Sequence, residues 1–521
     1  RSVFGGVAAG RFPGQTYIRP AAGSGLPRLV LVSACGQVAF VTTFRIIQQE
    51  NERSTPNNMN AKLRNLVALT LVAGAVAPVT VLASNGYFSF GWGTKSKAMA
   101  GVAAALPQDT LVAATNPAGM ALIDTSLDLG VAFFSPSARG YEADNNFSTN
   151  AMGFPTSGFL TPGEYDSSSD WFLVPSFGYN RVLNDKMTLG VSVFGNGGMN
   201  TDYRDRPVWE NFAGAPNQLA IGPGMTPPPG TIAAPNGMLF SMGPDGRPRP
   251  VTNPNATPAE GNVNPGGIFS ATTSTGINLE QLFVEVPFTY KVNGQHSLGI
   301  APVFAVQSFE AKGLEPFRQM SFHPDAVSNN GKDWSYGFGV HVGWVGEITD
   351  ALTLGASYRS KLWMTEFDDY KGLFAENGDF DIPAMLNLGI SFKARPDLVL
   401  AFDWQRIFYN EIAAVGNTNN VNVMPCMMPG SKPSYCLGGN DGLGFGWKDM
   451  DVFKLGARWD YSEKFSFMAG ASYASDFTSS DEVLLNIMAP ATIQWTFTLG
   501  GTYRHSATDS FNLSLAYMPN A

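Results

Sequence analysis

From residue 126 onward, apolar and polar residues alternate with a period of two, and nothing else in the sequence constrains the fold as strongly. Leu127, Leu129, Val131 and Phe133 alternate with Asp128, Gly130 and Ala132. Leu352, Leu354, Ala356 and Tyr358 alternate with Thr353, Gly355, Ser357 and Arg359, and the same pattern recurs at 386–393, 453–460 and 511–517. In a β-strand successive side chains point to opposite faces, so each segment presents one apolar and one polar face. A soluble sandwich alternates as well. Here the polar face is rich in Gly, Ser and Thr with scattered charges, as a wet lumen would be. Aromatic residues such as Trp171, Trp334, Trp344, Trp404, Trp459 and Tyr517 fall at strand ends, as membrane girdles require.

The connections separate the two architectures. Short ones at 183–186, 293–295, 349–351, 395–396, 462–463 and 506–509 alternate strictly with long ones near 135–170, 196–277, 310–333, 362–381, 411–446 and 475–491. Tight turns at one rim and long loops at the other mark a transmembrane antiparallel β-barrel of the outer-membrane kind. Composition agrees: 14% of residues are charged, against about 25% in soluble domains. No segment after Ala83 is an apolar helical span. Residues 84–521 hold 25 Lys and Arg against 40 Asp and Glu, which argues against nucleic acid as a partner.

Between 126 and 518 the alternation predicts thirteen strands. Bacterial single-chain barrels have an even number, and an unpaired edge in lipid is costly. The expectation is therefore that the barrel at 126–521 lacks its last strand, with a further one of roughly ten residues pairing the first and the thirteenth. Residues 59–83 have the layout of a signal peptide: basic Lys62 and Arg64, an apolar stretch from Leu66 to Leu82, and a cut after Ala83. A membrane anchor is the alternative, but Gly74 and Pro78 interrupt a stretch already marginal for spanning. Residues 1–58, Cys35 included, read as an upstream extension outside the native protein.

Residues 84–125 lack alternation and read as short helical pieces, Ser96–Leu106 and a second one from Thr110 capped by Asp109. Asn116-Pro117-Ala118-Gly119 interrupts the second, since Pro lacks an N–H and restricts the residue before it. Compact non-strand sequence ahead of a barrel suggests a plug in the lumen. Gly91-Trp92-Gly93, Ala98-Met99-Ala100-Gly101, Thr115-Asn116-Pro117-Ala118-Gly119-Met120-Ala121 and the late stretch Asp481–Pro490 resemble the FadL/TodX family of outer-membrane transporters for long-chain fatty acids and aromatic hydrocarbons. The resemblance spans residues 84–521. It implies a fourteen-stranded barrel with an N-terminal hatch, a hydrophobic capture groove in the extracellular loops, and a kink in the third strand that lets ligand leave sideways. That third strand loses its alternation at Gly195-Asn196-Gly197-Gly198, which reads either as a lateral gate or as a strand end entering a loop.

Catalytic readings are weak. His296 and His505 sit at tight turns and His323 in a long loop, while His341 faces the lumen, as a pore-lining residue rather than a base beside a nucleophile. No metal or cofactor motif is present. Cys426 and Cys436 share one long loop and suit a structural disulfide. Leu314, Phe317, Met320, Phe322, Trp363, Met364, Phe367 and Phe374 place many large apolar side chains in two loops; they pack on one another or form the capture groove. Lys312, Arg318, Arg359 and Lys361 are candidate partners for a ligand carboxylate. The chain is expected to be a monomer amid outer-membrane lipid and lipopolysaccharide, taking up a hydrophobic molecule passively. An aqueous porin and, less well supported, a lipid hydrolase are the competing readings.

Overall fold

The computed structural model describes residues 29–30, 37–47, 85–136, 139–143, 163–204, 208, 229–233, 239–242, 248–250, 274–427, 430–491 and 493–519. The proposed leader at 59–83 and most of the segment 1–58 lie outside these residues. Fourteen antiparallel strands form a closed barrel. They are β1 (Gln37–Ile47), β2 (Ser126–Ser135), β3 (Phe172–Asn184), β4 (Met187–Tyr203) and β5 (Thr275–Glu285, continued by Phe288–Lys291). Then come β6 (His296–Lys312), β7 (Asp333–Glu347), β8 (Leu352–Arg359), β9 (Met385–Arg395) and β10 (Leu398–Ile407). The last four are β11 (Met450–Trp459), β12 (Phe465–Ala474), β13 (Trp495–Arg504) and β14 (Asp509–Met518). Each strand pairs with its neighbours in sequence, and β1 closes the ring between β2 and β14.

All thirteen strands expected between 126 and 518 form. The fourteenth occupies the expected place between the first and the thirteenth, but Gln37–Ile47 supplies it. Part of the segment read as an upstream extension thus takes the place expected for a strand beyond residue 518. The segment can serve because it also alternates. Val41, Thr43 and Arg45 are buried, whereas Thr42 and Phe44 are not. Arg45 donates to the Gln108 carbonyl at 2.6 Å and to Ser126 at 3.1 Å, and the Phe44 ring lies 4.9 Å from that of Phe511.

The two strand faces have opposite surroundings. Outward residues such as Ile300, Phe304, Phe338, Leu388, Phe402, Leu455 and Leu499 are exposed, and register places Phe304 beside Phe338 and Phe402 beside Leu455. So continuous an apolar surface suits lipid rather than water. Among the described residues no helix is long and apolar enough to cross a membrane.

The inward face meets a hatch at 85–123. Its regular pieces are one helical turn at Thr94–Ala98 and two 3-10 turns, Thr110–Ala114 and Pro117–Leu122. The helix expected to reach Leu106 stops at Ala98. Ala100 and Gly101 take positive φ of 55° and 91°, and a Cβ on Gly101 would lie 1.8 Å from the Phe90 carbonyl. Beyond that turn, the Ala103 and Ala104 amides donate to Asp403 of β10 at 2.7 and 2.8 Å, so the wall replaces the carbonyls of a preceding helical turn. Asp128 of β2 accepts from the Thr110 amide and hydroxyl, and Asn180 of β3 donates to the Met120 and Ile123 carbonyls. Asp109 and Asn116 cap the two 3-10 turns.

The wall glycines, read as lining for a wet lumen, leave room for this hatch. A Cβ on Gly343 would sit 2.0 Å from Asn116 Oδ1, and one on Gly355 would sit 1.9 Å from the Ala104 carbonyl. Neither hatch group can retreat, because each is hydrogen-bonded: Asn116 Nδ2 donates to the Ala104 and Trp344 carbonyls at 2.8 and 3.0 Å.

Two outcomes follow from this packing. Cysteines replacing Phe44 and Phe511 should cross-link in the membrane-inserted chain, and failure to cross-link at full oxidation would remove β1 from the barrel. Gly355→Leu should unseat the hatch at a cost of about 1–3 kcal/mol, seen as protease cleavage within residues 94–123 while the barrel keeps its heat-resistant mobility on gels. Unchanged protease resistance would show that Gly355 does not seat the hatch.

Candidate ligand groove and gate

The long-loop end of the barrel carries a small, closely packed apolar cleft. Two wall residues, Ile277 of β5 and Phe309 of β6, form its floor. Leu314 and Phe317 come from the loop after β6, and Leu373 and Phe374 from the loop after β8. The aromatic packing is close: Phe374 lies edge-on to Phe309 at 4.7 Å and to Phe380 at 4.9 Å. Five of the eight sequence candidates behave otherwise. Met320, Met364 and Phe367 are buried in the surrounding core, whereas Phe322 is 41% exposed. Trp363 also faces away; it is half exposed and packs 6.0 Å from outward-pointing Phe338.

Sequence reading missed the opposite wall. Leu437, Leu443 and Phe445 come from the loop after β10, and Leu485 and Met488 from the loop after β12. The last two belong to the Asp481–Pro490 stretch, so that motif marked groove residues without revealing it. The loop after β10 is stapled by a disulfide between Cys426 and Cys436, both fully buried. Leu437, next to the staple, bridges to Ser321, and Lys432 donates to the Gln319 and Cys426 carbonyls. The stapled loop thus closes over the loop after β6.

Three of the four candidate cations already hold carboxylates. Lys312 pairs with Glu310 at 3.1 Å, Arg318 with Asp325 at 2.5 Å and Lys361 with Asp381 at 2.5 Å. Arg359 lies elsewhere. It ends β8 with its side chain fully buried in the lumen, donating to Asn196 Oδ1 at 3.2 Å. Its guanidinium lies 4.8 Å from the Phe283 ring centre, 5.4 Å from Phe88 and 5.7 Å from Trp92.

Asn196 marks an irregularity in β4. Gly195 pairs with Leu282 and Gly197 with Gln281, so Asn196 is an extra residue that bulges the strand. A bulge bends a strand and turns its following side chains. Beyond it, Met199, Thr201 and Tyr203 face inward. The strand therefore continues past the glycines to Tyr203 and does not end there. Pairing between β3 and β4 stops at Ser176 and Phe194, although β3 begins at Phe172. The bare β4 edge is met by the first residues of the hatch: the Ser89 amide donates to the Asn196 carbonyl at 2.9 Å, and the Gly198 amide to the Tyr87 carbonyl at 2.8 Å. A Cβ on Gly197 would lie 1.8 Å from that same Tyr87 carbonyl. The glycines thus admit the hatch backbone, and the wall is closed at this level by a segment that is not a barrel strand.

Among the remaining polar groups, His341 is fully buried with Nδ1 3.3 Å from Glu285 Oε2, and His296 stacks on Trp344.

The family model described as outer membrane protein transport protein (OMPP1/FadL/TodX) matches residues 76–220 and 265–520. No curated protein matches the sequence. Among solved structures, the toluene transporter TodX of Pseudomonas putida is 16% identical, covering 84% of this chain and 100% of its own, with a TM-score of 0.48. A FadL homologue of Pseudomonas aeruginosa is 13% identical over 84% of this chain and 99% of its own, with a TM-score of 0.46. The toluene transporter TbuX of Ralstonia pickettii is 16% identical over 83% of this chain and 98% of its own, with a TM-score of 0.42.

Gly197→Val should expel residues 85–89 from the β4 edge. Limited proteolysis of the inserted variant is expected to cut there while the hatch body at 94–123 stays protected; an uncut tip would show that the contact is not what seats it.

Proposed function

The chain belongs to the OMPP1/FadL/TodX family of outer membrane transport proteins, and from that premise we propose that it admits a hydrophobic molecule, a fatty acid or an aromatic hydrocarbon, through the outer membrane of a Gram-negative bacterium. The carrying observation is the apolar cleft at the long-loop end. Such surface, drawn from four loops and two strands, gains free energy by removing an apolar ligand from water. No energy input is needed: the ligand moves from groove to lumen to membrane down its own gradient.

The exit is sideways. The hatch fills the lumen from Thr94 to Leu122 with wall-bonded structure, so a straight path would require the whole plug to move. At the β3–β4 gap, among the described residues, the tip at 85–89 blocks the wall, held by two backbone hydrogen bonds to β4 and by the Tyr409 hydroxyl, which donates to the Asn85 carbonyl. Its displacement would leave an opening lined by Gly195, Asn196, Gly197 and Gly198 toward lipid. The plug motif Asn116-Pro117-Ala118 belongs to the fixed part, since Asn116 ties it to the β7 carbonyl of Trp344. An aqueous porin would need that lumen open. The disulfide at Cys426 and Cys436 keeps Leu437 against the groove and carries no chemistry.

Leu443→Asp should test this reading, because a carboxylate among buried apolar side chains is costly unless paired. Affinity for a long-chain alcohol or toluene should fall at least about tenfold, with insertion of the barrel unchanged. Wild-type affinity and uptake in that variant would sink the groove.

A further inference from the structure

We propose that Trp447 is the septum between the apolar groove and the lumen, and that its ring sets how large a molecule can pass. Asn486 is the residue that positions it. The inference rests on the channel reading above and adds a size filter to it.

Aromatic rings fill the space between groove and hatch. Phe445 lines the groove, and the fully buried Trp447 lies 5.7 Å from its ring and 5.9 Å from that of Tyr87 on the hatch tip. Phe477 and Tyr409 meet the indole edge-on at 4.7 and 5.2 Å. A second bridge runs from the groove residue Phe374 through Phe380, 4.9 Å away, to Tyr87 at 6.1 Å. A molecule leaving the groove for the lumen meets this layer first. Rings packed at these distances leave no passage for a molecule of their own size, so one of them must move. Trp447 is the largest of them, and it touches both a groove residue and the hatch.

The indole has one polar atom, and one side chain holds it. Trp447 Nε1 donates to Asn486 Oδ1 at 2.6 Å, as a buried indole N–H needs an acceptor. Asn486 is itself fixed, since its Nδ2 donates to the Phe445 carbonyl at 2.7 Å and to the Glu482 carbonyl at 2.5 Å. On the backbone side, the Phe445 and Trp447 amides both donate to the Val415 carbonyl at 3.1 Å, with Gly446 between them at a φ of 69°. The ring is thus anchored at both ends, and cargo must fit within the swing that remains. Asn486 ends the helical turn Val483–Asn486, whose Leu485 lines the groove. The late stretch Asp481–Pro490 therefore does two things: Leu485 and Met488 face the groove, and Asn486 holds the septum.

Gram-negative cells carrying equal amounts of the inserted full-length chain would be given radiolabelled toluene or naphthalene, one ring against two. Initial uptake would be compared with binding of each probe to the purified chain. The parent should favour toluene more strongly in uptake than in binding. Trp447→Leu should raise the naphthalene-to-toluene uptake ratio at least about tenfold, with both binding affinities unchanged. Asn486→Leu should shift the ratio the same way and by less, and should add nothing in the Trp447→Leu background, because it acts through the indole. An Asn486→Leu effect that persists in that background would overturn the positioning role. An unchanged ratio in Trp447→Leu, or a ratio that merely follows binding, would overturn the septum and leave the channel reading intact. If Trp447→Leu fails to insert, Trp447→Phe, with a smaller ring and no N–H, decides on the same ratio. Failure of the parent chain to take up either probe would overturn both readings.

Discussion

A strand edge that faces hydrocarbon has no water to bond, and the form of this molecule follows from that constraint. Thirteen strands between residues 126 and 518 leave two edges, and β1 joins them. The hatch meets the same demand inside the lumen, where its short turns cannot satisfy their own amides and carbonyls. Wall side chains serve instead: Asp403 and Asp128 accept hatch amides, while Asn180, Ser357 and Asn387 donate to hatch carbonyls. The β4 edge beyond Phe194 is the place where wall and hatch depend on each other. β3 leaves it, and Tyr87 and Ser89 take its hydrogen bonds. At that place a short hatch segment, and not a barrel strand, satisfies the edge.

Period two serves two purposes on this wall. The outward face is apolar because lipid is its solvent. The inward face is small and polar because a folded plug presses on it, with Gly343 and Gly355 within contact of hatch atoms. A wet lumen and a filled one both favour Gly, Ser and Thr, so side-chain type does not separate them. Contact geometry does.

The groove was partly legible for a similar reason. Leu314, Phe317 and Phe374 stand out because loops seldom carry such residues unburied. Leu437, Leu443 and Phe445 sit in a loop dominated by Gly, Pro and Asn, where no periodicity flags them. Their role depends on four loops, far apart in sequence, meeting over one end of the barrel. Trp363 shows the converse error: its size suggested the groove, but its pairing with Phe338 turns it to the exterior.

By itself the sequence determined the thirteen strands between 126 and 518, their order and the side of the wall their residues face, since alternation is a local property of extended backbone. It also determined the family, through the plug and late motifs, and the capped turn at Asp109. Tertiary structure alone decided which segment closes the ring, that Gly197 makes room for the hatch, and that Arg359 belongs with Phe88, Trp92 and Asn196 rather than with the loop cations. Those facts rest on contacts between residues 79 or more positions apart. Such contacts are set by closure of the sheet and by the volume left inside it, and no local pattern of side chains encodes either.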